Sequence, residues 1–326
     1  MRKPAFLVFL ALFFLPDCSF GGAGRSAVQT LSQPISARPA GLAEAYSAEA
    51  SGADSLGYNP AGLALASAPE LLAQYHGGFM GDTFLNAGYA QQAGNFGIGA
   101  SVLSYNSGGV ELKNKYGEKI SATGERDIVY SAGLGVRLPW AGLSAGAALK
   151  FVDAQVVEQF SGKALAGDAG IRFDVPETSL SLGASAQNLG NGIKIADEHS
   201  SLPSVLRAGM AYRFNIEAEE TRMAGMEGVL EPAIRPEPAP HRLLLLCDGI
   251  YRMGDRIASL ALGAEFSYHG FFAVRTGARV PVYGTGTRNT VASVGIGARI
   301  RRATLDYAVE MTSAAALHRV SVSFVF

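Results

Sequence analysis

The side chains most able to hold a metal or carry a proton are five histidines, His76, His199, His241, His269 and His318. None stands at ligand spacing from another His or from a Cys, so the sequence implies no metal and no metal-dependent chemistry. Gly97-Ile98-Gly99 and Gly295-Ile296-Gly297 lack the third glycine and the following helix of a dinucleotide loop, so no nucleotide cofactor is implied. No Gly-x-Ser-x-Gly elbow precedes a helix. A lipid-facing hydrolase would need Ser and His on one surface. His318 and Ser321 lie an odd number of residues apart in an alternating segment and fall on opposite faces. No catalytic residue emerges, and the chain reads as a non-enzyme.

What remains is a set of isolated charges, Arg137, Lys150, Asp168, Arg172, Arg207, Arg213, Glu265, Arg275, Arg299, Asp306 and Arg319. Each falls on the polar parity of a segment whose other face is apolar. In His318–Phe326, for example, His318, Val320, Val322, Phe324 and Phe326 alternate with Arg319, Ser321, Ser323 and Val325. Ile128–Leu138 and Leu143–Val152 read likewise. The polar faces carry Gly, Ser, Ala and scattered charge rather than rows of Lys and Glu. That composition suits a crowded, wet lumen better than bulk water. The opposite faces then look at lipid, which is the dyad pattern of a transmembrane β-barrel.

Composition agrees. Of 326 residues, 17% are charged, well below the roughly 25% usual in soluble domains. Glycine numbers 40, and the net charge is −1. A near-neutral chain without a basic stripe excludes an electrostatic nucleic-acid binder. No segment after the leader has the roughly 18 apolar residues of a membrane helix. Only helices and closed barrels satisfy their backbone in lipid, which leaves the barrel.

The leader is expected at residues 1–23. Arg2 and Lys3 precede an apolar run from Ala5 to Leu15, then small residues through Gly24, the order of a secretion signal. Cys18 raises lipidation, although Asp17 directly before it is a poor fit to a lipobox. Loss of the leader leaves Cys247 alone, so no internal disulfide is possible.

Strands are expected to begin near Pro69, Asp82, Gly94, Glu125, Leu143, Lys163, Thr178, Ser204, Arg242, Arg256, Gly270, Thr290, Ala303 and Leu317. They make an even-numbered barrel of about fourteen antiparallel strands over residues 69–326. With both barrel termini in the periplasm, the turns on that side are short. The exception is a Pro- and Glu-rich insertion at residues 216–241, which is either a true periplasmic insertion or a miscount by one strand. Trp140, Tyr212, Phe214, Phe266 and Tyr268 fall near periplasmic strand ends, as girdle aromatics do. Residues 24–68 lack strand alternation, and a short helix is expected around Leu42–Ala50. This segment is either a loose arm or a plug for a lumen that fourteen strands leave wide.

The stretch holding Arg38 and Gly41, followed by Asn59, Pro60, Ala61 and Gly62, resembles the hatch motif of FadL-like outer-membrane proteins. It is especially similar to the PorV/PorQ branch and its spirochaetal relatives. Gly146–Val152, Gly167–Ile171, Gln187–Gly190, Arg207–Tyr212 and Leu262–Glu265 match in the same order. The resemblance implies an N-terminal hatch in an outer-membrane barrel that passes small hydrophobic or amphipathic solutes. On the PorV side it implies a structural component with secretion-system partners. A general porin fits the hatch-like segment poorly. The outer loops are modest beside FadL proper, which argues against long-chain fatty acid uptake. The lumen charges either select solutes and bind the plug or merely pair with one another. Phe324 and the terminal Phe326 resemble the signal read by barrel assembly machinery.

Two outcomes follow from these registers. Arg207→Leu should still insert, whereas Leu206→Arg should impair assembly by about 2–4 kcal/mol if it sits near the bilayer midplane. Heat-modifiable gel mobility reads both. Deleting Phe326 should lower the outer-membrane yield, measured in fractionated membranes.

Overall fold

The computed structural model describes residues 26–78, 81–113, 119–157, 159–195, 198–216, 241–284, 290–313 and 315–326. The leader read at 1–23 and the interior of the 216–241 insertion lie outside them.

In chain order the strands are β1 (Glu70–Gly77), β2 (Thr83–Ala93), β3 (Phe96–Asn106), β4 (Gly109–Lys113), β5 (Lys119–Thr123) and β6 (Glu125–Arg137). Next come β7 (Leu143–Val156), β8 (Phe160–Asp174), β9 (Leu180–Gly190), β10 (Ile193–Ile195), β11 (Glu198–Ser200) and β12 (Val205–Ile216). The last six are β13 (His241–Arg252), β14 (Ile257–Tyr268), β15 (Phe272–Tyr283), β16 (Val291–Ile300), β17 (Ala303–Met311) and β18 (Ala316–Val325). Fourteen of these form one closed antiparallel barrel, sealed where β1 pairs with β18. The hairpins β4–β5 and β10–β11 stand apart in the connections after β3 and β9. The expected strand starts hold closely, the widest miss being Lys163 against an observed Phe160.

Alternation drives the closure. Leu149, Leu165, Ile171, Leu134 and Ile98 are exposed on the outer surface, while Lys150, Asp168, Arg172 and Val152 between them are buried. A band of outward Leu, Ile and aromatic side chains is costly in water and favourable against lipid. Trp140, Tyr212, Phe214, Phe266 and Tyr268 are all exposed. They lie toward the end that also holds Glu70 and Phe326, here the terminal end. Ile216 pairs with His241 at that same end.

Residues 26–68 run through the lumen. At the far end Ala27 donates its N–H to the Ser201 carbonyl (3.0 Å), and Ser26 bridges Ser201. At the terminal end Phe326 donates to the Pro69 carbonyl (3.0 Å). Between these points lie two short helices, α1 (Ala37–Gly41) and α2 (Ser55–Tyr58), and three short 3₁₀ segments. The helix expected around Leu42–Ala50 is not there. Ala43 and Glu44 take positive φ (51° and 67°), which breaks any helix. Tertiary contact explains the turn. It presses Leu42 against the β14–β15 wall and aims the Glu44 carboxylate at arginines on β12 and β15.

The inner wall also departs from the wholly polar lumen that the alternation implied. Phe84, Leu103, Val129 and Val152 point inward from β2, β3, β6 and β7 in the far half, and form one buried cluster with Val28 and Ile35 of the segment.

Candidate functional site

The site is the contact between the segment and the wall. Close approach comes first. A Cβ on Gly146 would lie 2.3 Å from the Pro60 carbonyl oxygen, and one on Gly170 would lie 2.1 Å from Asn59 Oδ1. The inward glycines there leave room for another backbone. Asn59 is fully buried. Its Oδ1 accepts from the Ala61 N–H (3.2 Å), capping the 3₁₀ turn that carries Pro60, Ala61 and Gly62. Its Nδ2 donates to the carbonyls of Ser47 and Ile171, each at 2.9 Å. One side chain thus fixes its own turn, the turn at Ser47 and the barrel wall.

Charge fastens the rest. Arg38 of α1 donates through Nε and Nη2 to the two oxygens of Glu265 (2.8 and 2.9 Å), a fork-to-fork pair. Its Nη1 reaches Tyr46 Oη (2.9 Å), and its Nη2 reaches Glu49 (3.1 Å). Glu265 also accepts from Arg275, which continues to Asp306, each at 2.6 Å. Glu49 accepts from Arg213. Gly41 accepts through its carbonyl from Ser293 Oγ (3.0 Å). Nearer the far end, Arg207 donates to Glu44 (2.7 Å) and stacks 5.1 Å over Tyr58, while Arg279 donates to the other Glu44 oxygen. Arg319 bonds Glu310 (2.5 Å) and Gln33 (2.8 Å).

Other residues of the set serve the wall. Lys150 pairs with Asp168 and donates to Asn188 Oδ1, both at 2.8 Å. Asp168 sits at a register shift between β8 and β9 and accepts the Asn188 N–H (2.7 Å). Arg172 pairs with Asp174 (2.9 Å) and donates to the Ala50 carbonyl (3.1 Å). Arg137 and Arg299 share the inward parity but stand at or next to the ends of their strands, exposed at the rim. Phe324 and Phe326 are exposed at the terminal end, their rings edge-on at 5.1 Å.

Glu44, Glu49, Asp248 and Arg279 were missing from the sequence reading. Asp248 and Arg279 carry the same parity signal as the others and could have been found by it. Asp248 accepts the N–H groups of Tyr46 (3.2 Å) and Ser47 (2.8 Å). Glu44 and Glu49 lie outside any alternation, and only their partners reveal them. No group of three metal-ligating side chains occurs among the described residues.

The contact surface has a direct test. Gly146→Val forces the Pro60 turn off the wall, so the barrel should assemble while residues 50–66 become open to protease. Limited proteolysis of the folded protein in detergent checks it, and an unchanged digest would contradict the close approach.

No family model and no curated protein matches the chain. Solved structures do. The Ralstonia pickettii toluene transporter TbuX aligns over 88% of this chain and 98% of its own, at 12% identity and a TM-score of 0.55. The Pseudomonas putida toluene transporter TodX gives 88% and 98%, at 13% identity and 0.55. A Pseudomonas aeruginosa FadL homologue gives 90% and 98%, at 10% identity and 0.52. At such identities the likeness is one of fold, and the fold is that of a FadL-like outer-membrane β-barrel.

Proposed function

We propose that the protein is an outer-membrane channel for small hydrophobic or amphipathic solutes, closed in this state by residues 26–68 acting as a hatch. The observation that carries this reading is the apolar inner wall of the far half. A water-filled porin has a polar interior. Here Phe84, Leu103, Val129 and Val152 face inward, a lining suited to an apolar solute and wasteful for an ion. The likeness to transporters of toluene supports the same reading. Apart from the peptide chain that runs into β1, the hatch is held by ion pairs, hydrogen bonds and apolar packing, all of which can give way without breaking a covalent bond. In this reading residues 1–23 are a cleaved export signal and the terminal end faces the periplasm. The 216–241 insertion then lies on that side, and Phe324 and Phe326 engage the assembly machinery.

The test pairs the intact barrel with a variant lacking residues 25–68, in planar bilayers and liposomes. The intact protein should be silent to ions yet admit toluene, and the deletion should open a large pore. If the intact protein admits no hydrophobic solute while the deletion conducts, the barrel is a scaffold whose partners are proteins, and the channel reading fails.

A further inference from the structure

Three arginines converge on one carboxylate in the far half of the lumen. Arg207 and Arg279 each bond a different oxygen of Glu44. Arg252 lines the adjoining cavity with Glu44, Tyr58 and Gln187. It makes no hydrogen bond or ion pair of its own among the described residues. Asp255 adds a second negative charge near Arg252, and two other carboxylates are engaged elsewhere. Asp248 accepts two backbone N–H groups of the hatch, and Glu310 pairs with Arg319. Three guanidinium groups therefore face one bonded carboxylate and the nearby Asp255, with Arg252 and Arg279 only partly exposed. Buried guanidinium groups are stable only when paired or hydrogen-bonded, and their planar forks match an oxyanion.

We infer that Arg207, Arg252 and Arg279 form an oxyanion site, which the hatch fills with its own Glu44 while the channel is closed. The hatch supplies an apolar body as well. Leu31 and Tyr58 of the segment line the same cavity as Glu44 and Arg252. Body and carboxylate together stand where a small amphipathic organic acid would lie. The cavity beside Glu44 is about 10 Å³, room for one water. An external oxyanion can enter only by taking the place of the Glu44 carboxylate, and that exchange detaches the hatch from β12 and β15. The solute class is thereby narrowed to small organic oxyanions with an apolar part. The release step rests on the channel reading, but the binding itself does not.

The experiment is equilibrium dialysis of benzoate against the full purified protein in detergent, with benzyl alcohol as the uncharged control. Glu44→Gln removes the internal competitor and should bind benzoate roughly tenfold more tightly than the unaltered chain, as expected when a competing closed state is relieved. Adding Arg252→Gln should abolish that gain, and benzyl alcohol should not distinguish the variants. Equal benzoate binding with and without Glu44, a gain that survives Arg252→Gln, or the same gain with benzyl alcohol would each overturn the site. If Glu44→Gln does not fold, as judged by heat modifiability, Arg252→Gln alone decides. It breaks no ion pair, and unchanged benzoate binding would refute the proposal. Toluene uptake without benzoate binding removes the site and leaves the channel reading; benzoate binding without uptake of any solute does the reverse.

Discussion

Every backbone N–H and C=O in hydrocarbon must find a partner within the protein, and a sheet meets that demand only by closing on itself. The rest of this molecule follows from the closure of β1 onto β18. Closure at fourteen strands leaves a space wider than inward side chains can fill alone. The chain fills it with its own residues 26–68, and the inner wall is shaped to receive them. Glycines stand where the hatch backbone approaches, and charged side chains stand where it can be tied.

Residues 26–68 are held in two ways. Val28, Ile35, Leu42, Tyr46, Leu56, Tyr58 and Leu63 are buried in clusters with the wall, and ion pairs tie the charged positions. Buried ion pairs add modest net stability, because desolvation offsets most of the attraction, yet losing one partner costs about 3–5 kcal/mol. That asymmetry specifies the position of residues 26–68 sharply at little net gain in stability. Arg38 shows the specificity, since its fork meets both oxygens of Glu265 while the remaining donors reach Tyr46 and Glu49.

The barrel was legible because alternation is a local signal. Each strand declares its two faces within about ten residues, and turns separate the strands. Parity also marked the inward charges, Arg207, Glu265 and Arg275 among them, without naming partners. A partner is a long-range fact: Arg38 meets Glu265 across most of the chain. The interior of the hatch was misread for the same reason. Leu42–Ala50 has helical composition, yet Ala43 and Glu44 turn left-handed because Leu42 and the Glu44 carboxylate have fixed places on the wall. Val129 and Val152 were on the polar parity by position and apolar by type, and that mismatch was the sequence's one sign that the lumen is not uniformly wet.

The two halves of the lumen accordingly do different things. Toward the terminal end the Arg38–Glu265–Arg275–Asp306 chain, Arg172 and Arg213 bind the hatch among close-packed glycines. Toward the far end the hatch lies on an apolar wall, and its strongest tether there is Glu44 between Arg207 and Arg279. In the channel proposed above, solute arriving at the far end would meet the apolar wall and this tether before the terminal-end network. Exchange of one carboxylate would then loosen the first half while the second still sealed the barrel, so the lumen would never stand open to both sides at once.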